Sequence, residues 1–187
     1  MRKSLLPAGV ATGLAAALLL LQLAAPAYGE ETGTMSEEAA PPATAQDHAA
    51  LLASDDPQLA ANKRLVYDMY RVVLQAGRAD RAHEFIAEDY IQHNPNAAQG
   101  LAGLVDYVRS TRPERAIKDT LDLPLIHLMA EGDYVTTAFV RPEKDANGET
   151  YYSSWFDLYR IENGKIAEHW DPMLRSDPKI DPNDKKL

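Results

Sequence analysis

Residues 151–172, YYSSWFDLYRIENGKIAEHWDP, restrict what this chain can fold into more than any other stretch. Aromatic, β-branched and aliphatic residues flank Glu162-Asn163-Gly164-Lys165, the pattern of two strands joined by a tight turn. Trp155, Asp157, Tyr159, His169, Trp170 and Asp171 all fall within this one hairpin. Its register decides which of them meet, because a one-residue slip moves every side chain of a strand to the other face. A two-residue Asn-Gly turn pairs Ile161 with Ile166 and sets Asp157 opposite Trp170. A three-residue loop, with Gly164 left-handed as a bulge, pairs Ile161 with Lys165, Asp157 with His169 and Trp155 with Asp171. The second register is favoured here. It brings Arg160 near Glu168 on one face and gathers Trp155, Asp157, Tyr159, Ala167, His169 and Asp171 on the other, so Asp157 and Asp171 are expected to share a face.

The chain has 187 residues, enough for one domain with extensions, and 45% of them are hydrophobic, as in globular proteins. A formal charge of -9 argues against nucleic acid or an anionic membrane surface as partner. The absence of cysteine excludes disulfides, thiolate metal sites and a cysteine nucleophile. At the N-terminus, Arg2 and Lys3 precede a Leu- and Ala-dominated run over residues 5–25, followed by small residues at Ala27 and Gly29. This is the three-part pattern of a signal peptide over residues 1–29, giving an exported protein, periplasmic or secreted, with no membrane association after cleavage. The alternative is an uncleaved anchor, since the apolar run is long enough to span a bilayer.

Residues 30–56, dominated by Glu, Ala, Pro and Thr, read as a disordered linker. The domain is expected over residues 57–175, with a loose tail over 176–187. Asp56 is a good N-cap and Pro57 suits a first helical position. Leu65, Met69, Val72, Val73 and Ala76 then recur at helical spacing until Gly77. Tyr67 and Tyr70 are taken as surface residues more readily than as cavity walls. A short second helix is expected at about 79–87 and a third at about 101–112, ended by Pro113. Between them Pro95 forces Asn94 out of helical geometry, so Tyr90-Ile91-Gln92-His93-Asn94-Pro95 is extended or turning. Strands are expected over 117–130, with Pro124 at a bulge or edge, and over 134–141, followed by a loop over 142–149 and the hairpin. Three helices followed by a run of antiparallel strands is an α+β order.

The stretches 90–95 (YIQHNP), 130–135 (AEGDYV) and 156–172 (FDLYRIENGKIAEHWDP) resemble the SnoaL-like polyketide cyclases, a branch of the nuclear transport factor 2-like superfamily. The resemblance covers residues 57–175. It implies three N-terminal helices packed on a strongly curved antiparallel sheet, a cone with an internal apolar pocket, often as a homodimer. It also implies cofactor-independent aldol-type ring closure of a small apolar carbonyl-type molecule, with an aspartate near the end of the last strand as acid/base. Asp171 matches that aspartate. Asp157 stands on the preceding strand where histidine is expected, a departure from the family pattern, and export is a second departure.

Proton removal next to a carbonyl needs a base and a donor for the enolate, and a desolvated carboxylate has its pKa raised toward neutral. Asp171, Asp157 and His93 are therefore the catalytic candidates. Tyr90, Asn94, His127, Trp155, His169 and Trp170 are the binding candidates. Against this stands a structural Asp157–His169 ion pair, with Asp171 capping the strand end and His127 a core histidine. His93, His127, His169, Asp157 and Asp171 include ligand types suited to Zn or Fe. None has the helical His-x-x-x-His spacing, so no metal and no cofactor are expected. A non-catalytic exported small-ligand-binding module is the alternative to an enzyme, because one fold hosts both.

Overall fold

The computed structural model describes residues 43–173 and 175. The expected signal segment, residues 30–42 of the expected linker and the tail lie outside the described residues. No described helix is long and apolar enough to cross a membrane.

Helix α2 (Pro57–Met69) starts where the sequence places it. The Asp56 side chain accepts from the backbone N–H groups of Gln58 at 2.8 Å and Leu59 at 3.4 Å, which satisfies two of the donors a helix start leaves unpaired. The helix continues into a π-helical stretch, Tyr70–Gln75, in which the Ala76 N–H reaches back to the Arg71 carbonyl. Wider turns of this kind gather at functional sites. Gly77 ends the element with φ +66, and a Cβ there would lie 2.6 Å from the Pro113 carbonyl oxygen, so a side chain at this position is both strained and blocked. A 3-10 turn (Ala79–Glu84) and helix α3 (Gly100–Thr111) follow.

Five strands form one open sheet: β1 (Ile86–Gln92), β2 (Leu125–Glu131), β3 (Tyr134–Lys144), β4 (Thr150–Glu162) and β5 (Lys165–Trp170), in the order β1-β5-β4-β3-β2. The sheet is antiparallel except at one edge, where β1 runs parallel to β5, so it is mixed rather than wholly antiparallel. The helices pack on the face that carries Thr137, Phe139 and Tyr159. Tyr70 meets Phe139 and Tyr159 edge-on with ring centroids 5.0 and 6.0 Å apart. Val66, Val73, Val108, Val135 and Ile166 are fully buried between the two layers, each contributing about 1.5–3 kcal/mol of transfer free energy.

Four expectations change. A helix, α1 (His48–Leu52), lies inside the expected linker, with Leu52 buried and His48 Nδ1 2.8 Å from the Tyr67 hydroxyl. Residues 85–87 leave the helical layer, because Phe85 and Ile86 pair with Ile166 at the sheet edge. Strand β2 begins at Leu125, not 117. The backbone of 118–122 is held by helix side chains instead of a neighbouring strand: Arg71 and Gln75 donate to the Lys118 and Thr120 carbonyls, and Leu121 and Asp122 donate to Tyr67 and Gln75. Strand β3 extends to Lys144, which shortens the loop expected over 142–149.

The hairpin register differs from both readings of the sequence. Ile161 pairs with Ile166 across a two-residue turn, with Asn163 at φ 51 and Gly164 at φ 73, the left-handed pair of a type I′ turn. The pairing then slips by one residue, so Arg160 meets Glu168, Tyr159 meets His169 and Leu158 meets Trp170, leaving Ala167 as the extra residue. That bulge restores the parity of the strand. Trp155, Asp157, Tyr159, His169 and Asp171 keep the common face expected of them, although Asp157 is diagonal to His169 rather than opposite it.

Candidate functional site

A cavity of about 500 Å³ opens between helix α3, the α2/π segment and the inner face of β1, β5 and β4. Its lining includes Tyr70, Tyr90, Asn94, Asp157, Tyr159, His169 and Asp171. A volume in this range suits a small organic ligand.

Asp157 is the centre of the inner wall and is 5% exposed. Its Oδ1 accepts from Trp155 Nε1 at 2.9 Å and from His169 Nε2 at 3.1 Å, and its Oδ2 accepts from the Tyr70 hydroxyl. Tyr70 accepts in turn from Tyr159 at 2.7 Å, and its single proton is already given to Asp157, so Thr137, 3.2 Å away, must donate to it as well. On the other side of the imidazole, His169 Nδ1 lies 3.1 Å from Gln92 Oε1. The backbone N–H of Asn94 donates to that same oxygen at 2.9 Å, which fixes the amide orientation. Both ring nitrogens of His169 therefore face acceptors, an arrangement satisfied by the imidazolium form beside an Asp157 carboxylate. The His169 ring also stacks on Tyr159, with centroids 4.7 Å apart.

Burial, with the Asp157 charge as a second cause, pushes the Tyr70 and Tyr159 phenols well above their ordinary range. Tyr90 is raised by burial first and then by the charges of Asp157 and Asp171. All three stay protonated at neutral pH. The Tyr90 hydroxyl accepts from Gln92 Nε2 at 3.1 Å, and its own proton has no acceptor among the described residues.

Asp171 is half-buried at the end of β5 and lines the same cavity. Its Oδ2 accepts from Asn94 Nδ2 at 2.8 Å and its Oδ1 from the Met173 N–H at 3.1 Å. Asn94 is buried, 3% exposed, and its own carbonyl accepts from the Asn96 N–H. One ligand-type atom each from Asp157, His169 and Asp171 lies within 4.8 Å of the others. A metal ion there would have to displace donors that already fill both oxygens of Asp157, one of them the His169 Nε2–H itself.

Of the candidates read from sequence, Asp157, Asp171, His169, Tyr90 and Asn94 come together at the cavity. Trp155 supports it from behind, buried, with Arg141 4.9 Å over its ring. Three do not reach it. His93 is exposed, its Nε2 2.8 Å from Glu168, and it stacks on Trp170 with centroids 4.4 Å apart, so both rings belong to the outer face of the sheet. His127 is also exposed rather than in the core, because the pairing of β2 with β3 is irregular between Leu125 and His127. Sequence reasoning left out Gln92, took Tyr70 as a surface residue, and placed Tyr159 on the inner face without giving it a role. The one signal available for Tyr70 was its helical spacing, three residues from Tyr67 and Val73.

The model of the SnoaL-like domain family matches residues 66–169 of this chain. Among solved structures, TsrD from Streptomyces laurentii is similar at 24% identity and a TM-score of 0.43, covering 64% of this chain and 91% of that one. A polyketide cyclase candidate from Acidithiobacillus ferrooxidans is similar at 19% identity and a TM-score of 0.45, covering 64% and 89%. An LEH-like epoxide hydrolase from M. tuberculosis is similar at 14% identity and a TM-score of 0.46, covering 62% and 84%. No curated protein matches the chain.

Proposed function

Because the chain belongs to the SnoaL-like domain family, in the nuclear transport factor 2-like fold, we propose that it binds a small apolar carbonyl-type molecule in the cavity and performs cofactor-independent acid/base chemistry on it, aldol-type closure or isomerisation. The carrying observation is the gathering of Asp157, His169 and Asp171 within 4.8 Å at a cavity wall that also holds Tyr90. Asp171 is the base. It is the carboxylate in the cluster whose donors, Asn94 and Met173, are both neutral, whereas Asp157 is committed to Tyr70, Trp155 and His169. The proton next to the substrate carbonyl passes to Asp171, and the Tyr90 O–H donates to the oxygen on which the enolate charge develops. In ring closure the enolate carbon bonds to a second carbonyl carbon, and the resulting alkoxide takes the proton back from Asp171. In isomerisation the proton returns to a different carbon. Asp157 holds His169 in place and keeps the wall polar.

A non-catalytic binding module is the second reading, favoured by one feature: Asp171 is half-exposed and turns back on its own chain through the Met173 N–H, as a strand-end cap does. Export through the N-terminal segment is part of the proposal and rests on the sequence pattern. So is a homodimer through the outer sheet face, supported by the exposed Met129, Tyr134 and Phe156.

The test is deuterium exchange at the carbons beside the carbonyl of 4-phenylbutan-2-one, followed by NMR in D2O. The wild type accelerates exchange, and Asp171→Asn lowers the acceleration by about 10²–10⁴-fold. Exchange equal in wild type and variant overturns the role of Asp171, and binding without exchange in the wild type leaves the binding module.

A further inference from the structure

We infer that the cavity selects ligands that carry a positive charge, an apolar body with a protonated amine. The inference rests on the cavity being the working site, as proposed above, and concerns the class of molecule it takes.

Among the described residues the lining holds three carboxylates, Asp106, Asp157 and Asp171, and four tyrosines, Tyr70, Tyr90, Tyr107 and Tyr159, and no lysine or arginine. Arg112 donates to the Tyr107 hydroxyl at 3.2 Å but is not part of the lining. Among the described lining residues the one group able to carry a positive charge is His169, and its Nε2 is committed to Asp157. Counting His169 as charged, the wall keeps two uncompensated negative charges, on Asp171 and Asp106. Asp171 receives hydrogen bonds from an amide and a backbone N–H, which orient it without neutralising it. Asp106 is exposed on helix α3 and its carboxylate has no ion-pair partner among the described residues.

An anionic ligand entering this cavity meets like charge, with no lysine or arginine among the described lining residues to receive it, whereas an ammonium is drawn in by Asp106 at the rim and by the field of Asp171, whose carboxylate stays open to the substrate proton. The effect of charge is larger in a partly enclosed site than in water, because the effective dielectric is lower. The Tyr70, Tyr90 and Tyr159 phenols stay protonated, so they add no negative charge of their own. The formal charge of -9 over the whole chain steers ligands in the same sense.

The experiment is isothermal titration of the full chain at pH 7.5 with three probes that share one apolar body: 4-phenylbutylamine, 4-phenylbutan-1-ol and 4-phenylbutanoate. The ketone 4-phenylbutan-2-one is run beside them. The amine is expected to bind about tenfold tighter than the alcohol, and the carboxylate about tenfold weaker. In Asp171→Asn the advantage of the amine over the alcohol shrinks at least to about threefold, and in Asp106→Asn, at the exposed rim, it shrinks by about twofold. Equal affinities of amine and alcohol, or a preference for the carboxylate, overturn the inference. If they occur while the ketone still binds, the proposed function stands without it. If none of the four probes binds, the cavity is not a ligand site and both readings fall.

Discussion

The two faces of the β4–β5 hairpin carry opposite chemistry from the usual arrangement. The inner face, which packs against helices, holds Trp155, Asp157, Tyr159 and His169, all under 10% exposed and joined in one hydrogen-bonded network. The outer face exposes Phe156 at 53% and, on the neighbouring strands, Met129 at 53% and Tyr134 at 44%, among the Arg160, Glu168 and His93 ion pairs. Strand alternation explains how one chain segment serves both. The burial explains the difference in connectivity. A buried polar group must find partners or cost stability, so the inner network is complete, while outer ion pairs in contact with water contribute little. A wall so fully partnered is a rigid frame for the two groups that keep spare capacity, the carboxylate of Asp171 and the hydroxyl of Tyr90.

Breaking the inner network should have the largest effect. Asp157→Ala leaves His169, Trp155 and Tyr70 with donors and no acceptor, and is expected to destabilise by about 3–5 kcal/mol in urea unfolding. A loss below about 1 kcal/mol would show that the network does not hold the fold. Tyr70→Phe removes one hydroxyl from the chain of Tyr159, Tyr70 and Asp157 and should cost about 1–2 kcal/mol.

Titration separates the faces further. The Tyr70, Tyr90 and Tyr159 phenols are raised in the fold, so their contribution is full below the unfolded tyrosine value of about 10 and is lost as pH climbs beyond it toward the folded values. Glu168 is lowered, first by its hydrogen bond with His93 and then by Arg160, so its contribution is full above the unfolded value of about 4.3 and is lost as pH falls through the lower folded value. Thermal unfolding across pH should therefore show Tyr90→Phe flattening the alkaline limb alone and Glu168→Gln the acid limb alone. The smallest effect belongs to Phe156→Gln on the outer face, within about 0.5 kcal/mol for the monomer. A larger stability change that grows with protein concentration would mean the face is covered by a second copy.

The inner grouping was legible in the sequence because strand parity is a strong constraint, and it survived an error of register. The Ala167 bulge has no sequence signature, yet it shifts the pairing by the one residue that keeps Asp157 and Asp171 on a common face. The start of α2 was legible too, since Asp56-Pro57 is local chemistry. What stayed hidden depends on contacts between distant segments. Ile117, Leu121 and Leu123 fall at alternating positions with polar residues between them, a strand-like pattern, but Arg71, Gln75 and Tyr67 supply the hydrogen bonds of residues 118–122. Tyr70 has the same helical spacing as a surface tyrosine, and only the approach of Asp157 and Tyr159 makes it part of the wall. His93 and Trp170 sit beside inner residues in sequence, and alternation carries both to the other face. Leu51 and Leu52 are too few to show a helical period within a linker-like segment.

Native mass spectrometry of the protein isolated from its own host, wild type beside Asp171→Asn, tests the central claim most directly. If Asp171 performs the chemistry, the variant retains a small molecule that the wild type lacks or holds in altered form. The same unmodified ligand in both would contradict it and leave the cavity as a binding site.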